Sequence, residues 1–525
     1  MTKISPARAA AFSILREVEE GRAHADDLLR THRVSRMSPI DRNLTTALVL
    51  GVLRWQIRLD QQFRPLLAKP NAKLDREVLL SLRLGAFQIT QMERIPARAA
   101  IDESVEMVKH SGHHFAARMV NAVLRKLAQN ASAPGAEALP SPVDLSQGLK
   151  PPPPAATSVS TATSVAPSAD PSSADTASEQ GLSPSGGSMG LQAHESLSPD
   201  DSGASAPETP AALAFTYAHP AWLVERWVSH FGLEATRKIC AHGQQQAVLN
   251  LRLDTPQAEE ELLAAGIELT PGHLLTAART IAAGDVTAAA SLKSEHARLQ
   301  DEGSQLIAEL TACNASNRDS KKQKVGDLCA APGGKTLALA ALLPKAKIVA
   351  CESSPQRFLA IEKRLALLSP RVQCRQVDAA TLDATEEFHL ILVDAPCSGT
   401  GTLGRNPEIR YRMQPTDLAR QAERQQVILT AALNALRPSG KLIYSTCSLE
   451  PEENQQVVDA VLATQSNARQ LSLDATLDTL QKEDRLLPEA AEKLKAALTP
   501  EGALQLLPGT LPSDGFFAAL LEKSV

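Results

Sequence analysis

The chain has 525 residues, of which 43% are hydrophobic and 22% charged, and its formal net charge is -5. That length is too great for one ordinary core and implies roughly three or four. No apolar run approaches the ~18 residues a membrane span needs, and the stretch from Ala9 to Leu15, bracketed by Arg8, Arg16, Glu17, Glu19 and Glu20, reads as an amphipathic helix and not as a signal peptide, so a cytoplasmic protein with no membrane association is expected.

From Ala7 to about Asn130 apolar residues recur at three- and four-residue spacing, which predicts an all-α domain over 1–130. Its breaks are expected at Ser38-Pro39, Lys69-Pro70-Asn71 and Ile95-Pro96. This segment holds 21 Lys and Arg against 13 Asp and Glu, a balance that suits a polyanion such as RNA as well as it suits a solvated helical surface.

Residues 131–212 differ in kind. They carry 1 basic and 9 acidic residues, 13 of the 34 prolines and no aromatic side chain. Such a segment buries too little apolar surface to offset its conformational entropy, so a disordered acidic linker with a random-coil span of about 50 Å is expected.

Order is expected to resume at His219, and the strand, helix, strand pattern of VLNLRLD, PQAEEELLAAG and IELT predicts a small α/β lobe over 213–305. From 306 to 525 strands and helices alternate: KVGDLCA, KIVACE, VQCRQVDA, HLILVDA and GKLIYSTCS are the strands. Their alternation with helices predicts a doubly wound, Rossmann-like parallel sheet with its ligand site at the carboxyl ends.

Polar or reactive residues stand at those strand ends: Asp327, Glu352, Asp378, Asp394, and Thr446 with Cys447. A single acid after a strand is usually a helix cap; four at successive ends define a site. The loop Cys329, Ala330, Ala331, Pro332, Gly333, Gly334, Lys335 allows close backbone approach to a ligand. A phosphate loop would require glycine where Cys329 stands, and no GxGxxG occurs, which disfavours a triphosphatase and a nicotinamide enzyme. Glu352 is placed for ribose hydroxyls and Asp378 for an adenine edge. With the glycine loop they fit a nucleoside without phosphate, such as S-adenosylmethionine (SAM).

The seven cysteines include no CxxC pair, which argues against a disulfide framework and a structural zinc site, and no metal is expected. A buried cysteine is ordinarily a small hydrophobe. Cys397 in DAPC and Cys447 in STCS both fall at the ligand edge, however, and a thiolate adding to C6 of cytosine makes C5 a carbon nucleophile able to accept a methyl group. Asp394 is placed to assist at N3. Residue chemistry leaves open which thiol attacks.

The motifs DLCAAPGGKT (327–336), DAPCSGTGTLGRNPEIR (394–410) and YSTCSLEPEEN (444–454) closely resemble the Sun (RsmB) family of 16S ribosomal RNA cytosine-C5 methyltransferases, within the NOL1/NOP2/Sun group. LGVLRW (50–55), ERIPARAAIDESVE (93–106) and NAVLR (121–125) are similar to that family's NusB-like RNA-binding domain. The resemblance implies a SAM-dependent enzyme that makes 5-methylcytosine, with Cys447 as nucleophile and Cys397 in product release. It places cofactor contacts on the 329–335 loop, Glu352, Asp378 and Asp394, and Lys335 near the base. Arg405, Asn406, Pro407 and Glu408 either shape the RNA-side wall or structure the loop. RNA, most plausibly 16S rRNA, is the expected partner of a monomer that does not use DNA; transfer RNA, or a catalytically silent assembly factor, are the alternatives. Three features depart from the family pattern: the long 131–212 segment, Glu352 in place of aspartate, and an extra polar, basic loop over 313–324.

Overall fold

The computed structural model describes residues 4–21, 23–131, 209–316 and 321–524. The acidic segment therefore lies outside the described residues except at its ends, where the structure corrects its limits. The helix Ala117–Ala131 runs to residue 131, and a new helix, Pro210–Thr216, starts before 213. Thr209 caps that helix by accepting from Ala212 N at 3.1 Å, Pro210 occupies the first turn, and Leu213 is buried, so local capping and an apolar anchor fix where the helix starts.

The N-terminal part is helical throughout, with its long helices at Pro6–Glu19, Pro39–Phe63, Arg76–Gln91, Ala97–His110 and Ala117–Ala131. The first buries Ala7, Ala10, Ala11, Ile14, Leu15 and Val18, one stripe at helical spacing. Ser38 caps the second, its hydroxyl accepting from Asp41 N at 3.1 Å ahead of Pro39. Gly51 lies against the ring of Phe87; a Cβ there would sit 2.0 Å from its Cζ, so these two helices cross only because that side chain is missing. Arg83 is buried between them and clamps Asp60 with two bonds of 2.8 Å.

The small lobe is an antiparallel four-stranded sheet of β1 (Asn250–Leu253), β2 (Glu268–Pro271), β3 (Ala278–Ala283) and β4 (Ala297–Leu299), in the order β2-β3-β1-β4. The sequence pattern reveals β1, β2 and the helix Pro256–Ala264 but not β3 or β4. ARTIAA and ARL are short and carry too little alternation to stand out.

The third part is built on β5 (Lys324–Asp327), β6 (Lys347–Glu352), β7 (Val372–Gln376), β8 (Phe388–Asp394), β9 (Leu436–Thr446), β10 (Ala468–Leu471), β11 (Leu504–Leu506) and β12 (Phe516–Lys523). Their order is β10-β12-β9-β8-β5-β6-β7, with β11 on β12. Strands β5 to β9 are parallel, as expected from the alternation with helices. The doubly wound sheet is extended past its parallel strands: β12 returns antiparallel to β9, β10 and β11, so the sheet is mixed. Strand β12 is buried at every position but Glu522 and lacks a period-two signal, which hid it in the sequence. On β8, Leu390 and Leu392 enter one core layer while Ile391 and Val393 enter the other, so helices cover both faces. The strand order reverses between β5 and β8, and the crevice above that reversal is where this architecture binds ligands.

Candidate active site

The chain leaves β5 through a buried aspartate. Asp327 accepts a 2.6 Å hydrogen bond from the Thr336 hydroxyl, so the strand end and the next helix hold each other across the glycine loop. Burial pushes the Asp327 carboxyl up to about 6. Gly333 caps the helix Gly334–Leu342 at φ 94°, in the left-handed region that favours glycine, which explains the first glycine of the pair. The loop is pinned below by Ala330 N donating to Cys351 O at 2.9 Å.

Above the loop lies a cavity of about 310 Å³ that brings Cys329, Ala331, Glu352, Asp378, Asp394, Cys397 and Cys447 together. Glu352 ends β6, is buried, and accepts from Ser354 N at 2.8 Å. Asp378 is half-exposed and accepts from Ala380 N at 3.0 Å, capping the turn Ala379–Thr381. Gly333, Gly334 and Lys335 lie at the helix entry behind this lining, and burial raises the Cys329 thiol well above its ordinary value.

Asp394 joins the cavity to the thiols. One carboxylate oxygen accepts from Lys335 Nζ at 2.7 Å, the other from the Ser445 hydroxyl at 2.9 Å. Burial works against the charge on Lys335, but Asp394 outweighs it and holds the ammonium above its ordinary value. The Phe516 ring, 5.4 Å from Nζ, adds a cation–π contact. The Sγ atoms of Cys397 and Cys447, fifty residues apart, lie 3.3 Å from one another. The bond to Cys447, together with burial, pushes the Cys397 thiol well up, so it is held protonated.

The bracket behind these thiols was not singled out in the sequence. Ser398 and Ser448, each the residue after a cysteine, both donate to Oε2 of Glu453 and lie 3.0 Å from one another. Oε1 of Glu453 accepts from Ser398 N at 2.8 Å and from Gln425 Nε2 at 3.1 Å. One buried carboxylate thus holds both cysteine loops, and burial raises its pKa. The only available signal was its presence in YSTCSLEPEEN, where three glutamates compete for attention.

Residues just past Cys397 turn away from the cavity. Arg405 pairs with Asp514 at 2.7 Å and Asp301 at 3.0 Å. Glu408 accepts from Ala25 N at 3.1 Å and meets His24 at 3.1 Å, a contact that raises the His24 pKa. Buried Arg410 donates to Gly243 O at 3.0 Å and to Ala218 O at 3.3 Å, and Arg54 of the N-terminal part donates to Gly404 O at 2.8 Å. The segment that carries Cys397 is therefore also the seat of the N-terminal helices. Among the described residues no cluster of three or more His, Cys, Asp or Glu is arranged to hold a metal, and no helix is long and apolar enough to cross a membrane.

Comparison with known proteins agrees over the whole chain. Residues 316–522 match the family described as 16S rRNA methyltransferase RsmB/F, residues 5–129 the NusB family, and residues 219–284 the ferredoxin-like domain of RsmF/B-like methyltransferases. The chain is 29% identical over 537 residues to the probable ribosomal RNA small subunit methyltransferase B of Bacillus subtilis, covering 99% of both chains. It is 26% identical over 524 residues to ribosomal RNA small subunit methyltransferase B of Klebsiella pneumoniae, covering 98% of this chain and 97% of that one. In fold it is similar to the crystal structure of PH0851, at a TM-score of 0.66 and 18% identity over 99% of this chain.

Proposed function

We propose that this chain is an RNA methyltransferase of the RsmB/F kind, whose family model residues 316–522 match, and that it forms 5-methylcytosine in 16S rRNA from SAM, through a covalent adduct to a cysteine. The observation that carries the reading is the pair of thiols 3.3 Å apart on the rim of a cavity that also holds Asp394.

The donor set of that cavity supports SAM. Glu352, Asp378 and Asp394 offer acceptors to ribose hydroxyls, an adenine amine and a cationic ligand. The residues that would hold it are the 329–335 loop, Glu352, Asp378 and Asp394. When bound it supplies an electrophilic methyl group.

The chain's own groups do the rest. Cys447 forms the S–C6 bond, which makes C5 nucleophilic. Asp394, fixed between Lys335 and Ser445, faces the base at N3 and relays to it a proton from the Lys335 ammonium as negative charge develops there, and the proton returns by the same route when the ring is restored. After C5 is substituted, its proton leaves to base, the C6–S bond breaks, and the electron pair returns to Cys447. Cys397, kept as a thiol at 3.3 Å, donates its hydrogen bond to the departing sulfur and so favours release. The N-terminal helices supply phosphate contacts, and a cytosine is taken from a single-stranded or flipped position. Such an enzyme acts where ribosomes are built, in the cytoplasm.

The test is incubation of the full chain with methyl-labelled SAM and either 16S rRNA or transfer RNA, followed by nucleoside digestion. Label in 5-methylcytidine from 16S rRNA is expected. Label in transfer RNA alone would keep the chemistry and overturn the substrate; no label in free rRNA or in immature small subunits would overturn both.

A further inference from the structure

A second, larger cavity lies at the other end of the same strands. Its volume is about 520 Å³, and Lys321, Lys322, Lys324, Lys347, Arg371 and Arg437 line it together with His389 and Gln373. Lys324 opens β5, Lys347 opens β6, Arg371 precedes β7, and His389 and Arg437 stand one residue inside β8 and β9. These are the amino ends of strands whose carboxyl ends carry Asp327, Glu352, Asp394 and Cys447, so the two cavities occupy opposite edges of one sheet. The six residues of β6 separate those edges by roughly 20 Å at ~3.3 Å per residue.

The charge here is one-sided. Among the described residues six cations line the cavity and none of the lining is a carboxylate. Glu387, just outside, is taken up by Lys324 and by Arg375. Arg371 donates to Leu343 O at 3.4 Å and Arg437 to Glu386 O at 2.9 Å, backbone carbonyls that orient a guanidinium without neutralising it. Burial alone lowers the Arg371 pKa, and the neighbouring Arg437 acts with burial to lower that of His389. Lys321 and Lys322 come from the polar loop that the sequence sets apart and the catalytic site does not use. Groups this close in sign repel one another, and the arrangement becomes favourable when several anionic oxygens enter.

We propose that this basic cavity is a second RNA-contact site, which takes backbone phosphates of the same RNA whose cytosine enters the catalytic cavity. The proposal rests on the RNA-methyltransferase reading above. Cations spread over four strand starts suit a run of phosphates along a polymer, where a single free phosphate would use two or three. A folded ribosomal RNA readily spans the distance between the two edges.

The experiment measures binding of a fluorescent 16S rRNA fragment to the full chain over a series of salt concentrations, with Lys321→Ala/Lys347→Ala as the variant. Both side chains are exposed, so folding is spared; adding Arg371→Ala gives a stronger version. Each lost phosphate contact reduces the slope of log affinity against log salt by about 0.7 to 0.9, so the double variant is expected to lose about 1.4 to 1.8. At low salt its KM for RNA should rise at least tenfold, with turnover at saturating RNA and SAM affinity unchanged. Lys482→Ala/Lys493→Ala, on the helices Asp474–Lys482 and Ala490–Lys495, serves as a charge-matched control and should leave the slope intact. An unchanged slope in the double variant overturns the proposal. So does binding of inorganic phosphate that the variant loses while its RNA slope stays the same, since the cavity then serves a small anion. A wild-type chain that neither binds nor methylates RNA defeats the underlying reading instead.

Discussion

Replacing Cys397 with alanine separates the two thiols most sharply. The side chain is half-buried, and removing one sulfur forfeits about 1 kcal/mol of transfer free energy, small against the 5–15 kcal/mol that typically holds a domain folded. Any large loss in the variant is therefore chemical. Cys397 lies 3.3 Å from the Cys447 sulfur and is held as a thiol, the state required to support that sulfur as it leaves the base. Proton-transfer assistance of this kind contributes about 10²–10⁴ in rate, or roughly 3–5 kcal/mol of barrier. The covalent protein–RNA adduct in Cys397→Ala should decay slower by that factor and accumulate as a band of reduced mobility on a denaturing gel. Cys447→Ala should show neither the band nor methyl transfer. A band with Cys447→Ala and none with Cys397→Ala reverses the two roles, and no band in either variant under single-turnover conditions refutes the covalent route.

Lys335→Met removes the 2.7 Å donor to Asp394 and should lower single-turnover methylation by about 10²-fold; a loss under threefold would mean that Asp394 does not depend on it. Glu453→Ala strands Ser398 N, two hydroxyls and the Gln425 amide behind the cysteine loops, and should cost about 3 kcal/mol in urea unfolding. Glu453→Gln should stay within about 1 kcal/mol of wild type, because burial already opposes the charge; equal losses in both variants would refute the bracket. Asp327 titrates at about 6 in the fold against 3.8 in a free chain, so between pH 4 and 6 the native state keeps a proton that the unfolded state has lost. Stability from this group is thus present at low pH and falls as pH rises through that window, by about 3 kcal/mol at pH 7. Asp327→Asn stays neutral and should gain stability relative to wild type as pH rises from 4 to 7, as followed by urea unfolding; a difference independent of pH would rule this out.

Periodicity alone marked the helical N-terminal part, because each of its helices needs only one buried stripe, and Ser38-Pro39 fixed a boundary through capping chemistry local to four residues. The parallel strands β5 to β9 were equally legible as short apolar runs that end in Asp327, Glu352, Asp394 and Cys447. Strands β3, β4 and β12 were not, since β3 and β4 are short with little alternation and β12 is apolar on both faces from Phe516 to Leu521. At the site, residue types and motifs named Asp394, Cys397 and Cys447, yet nothing in the chain measures the distance between residues 397 and 447. That separation depends on the adjacency of β8 and β9 and on the Glu453 carboxylate, which receives a hydroxyl from each cysteine loop. The same holds for Arg405 and Glu408, whose partners Asp301, Asp514, His24 and Ala25 are distant in sequence, and for the basic cavity, where cations from four strand starts converge only once the sheet is assembled. Short-range chemistry, meaning caps, turns and apolar stripes, is written residue by residue; the meeting of charged and reactive groups is a property of strand order, which packing of the whole core decides.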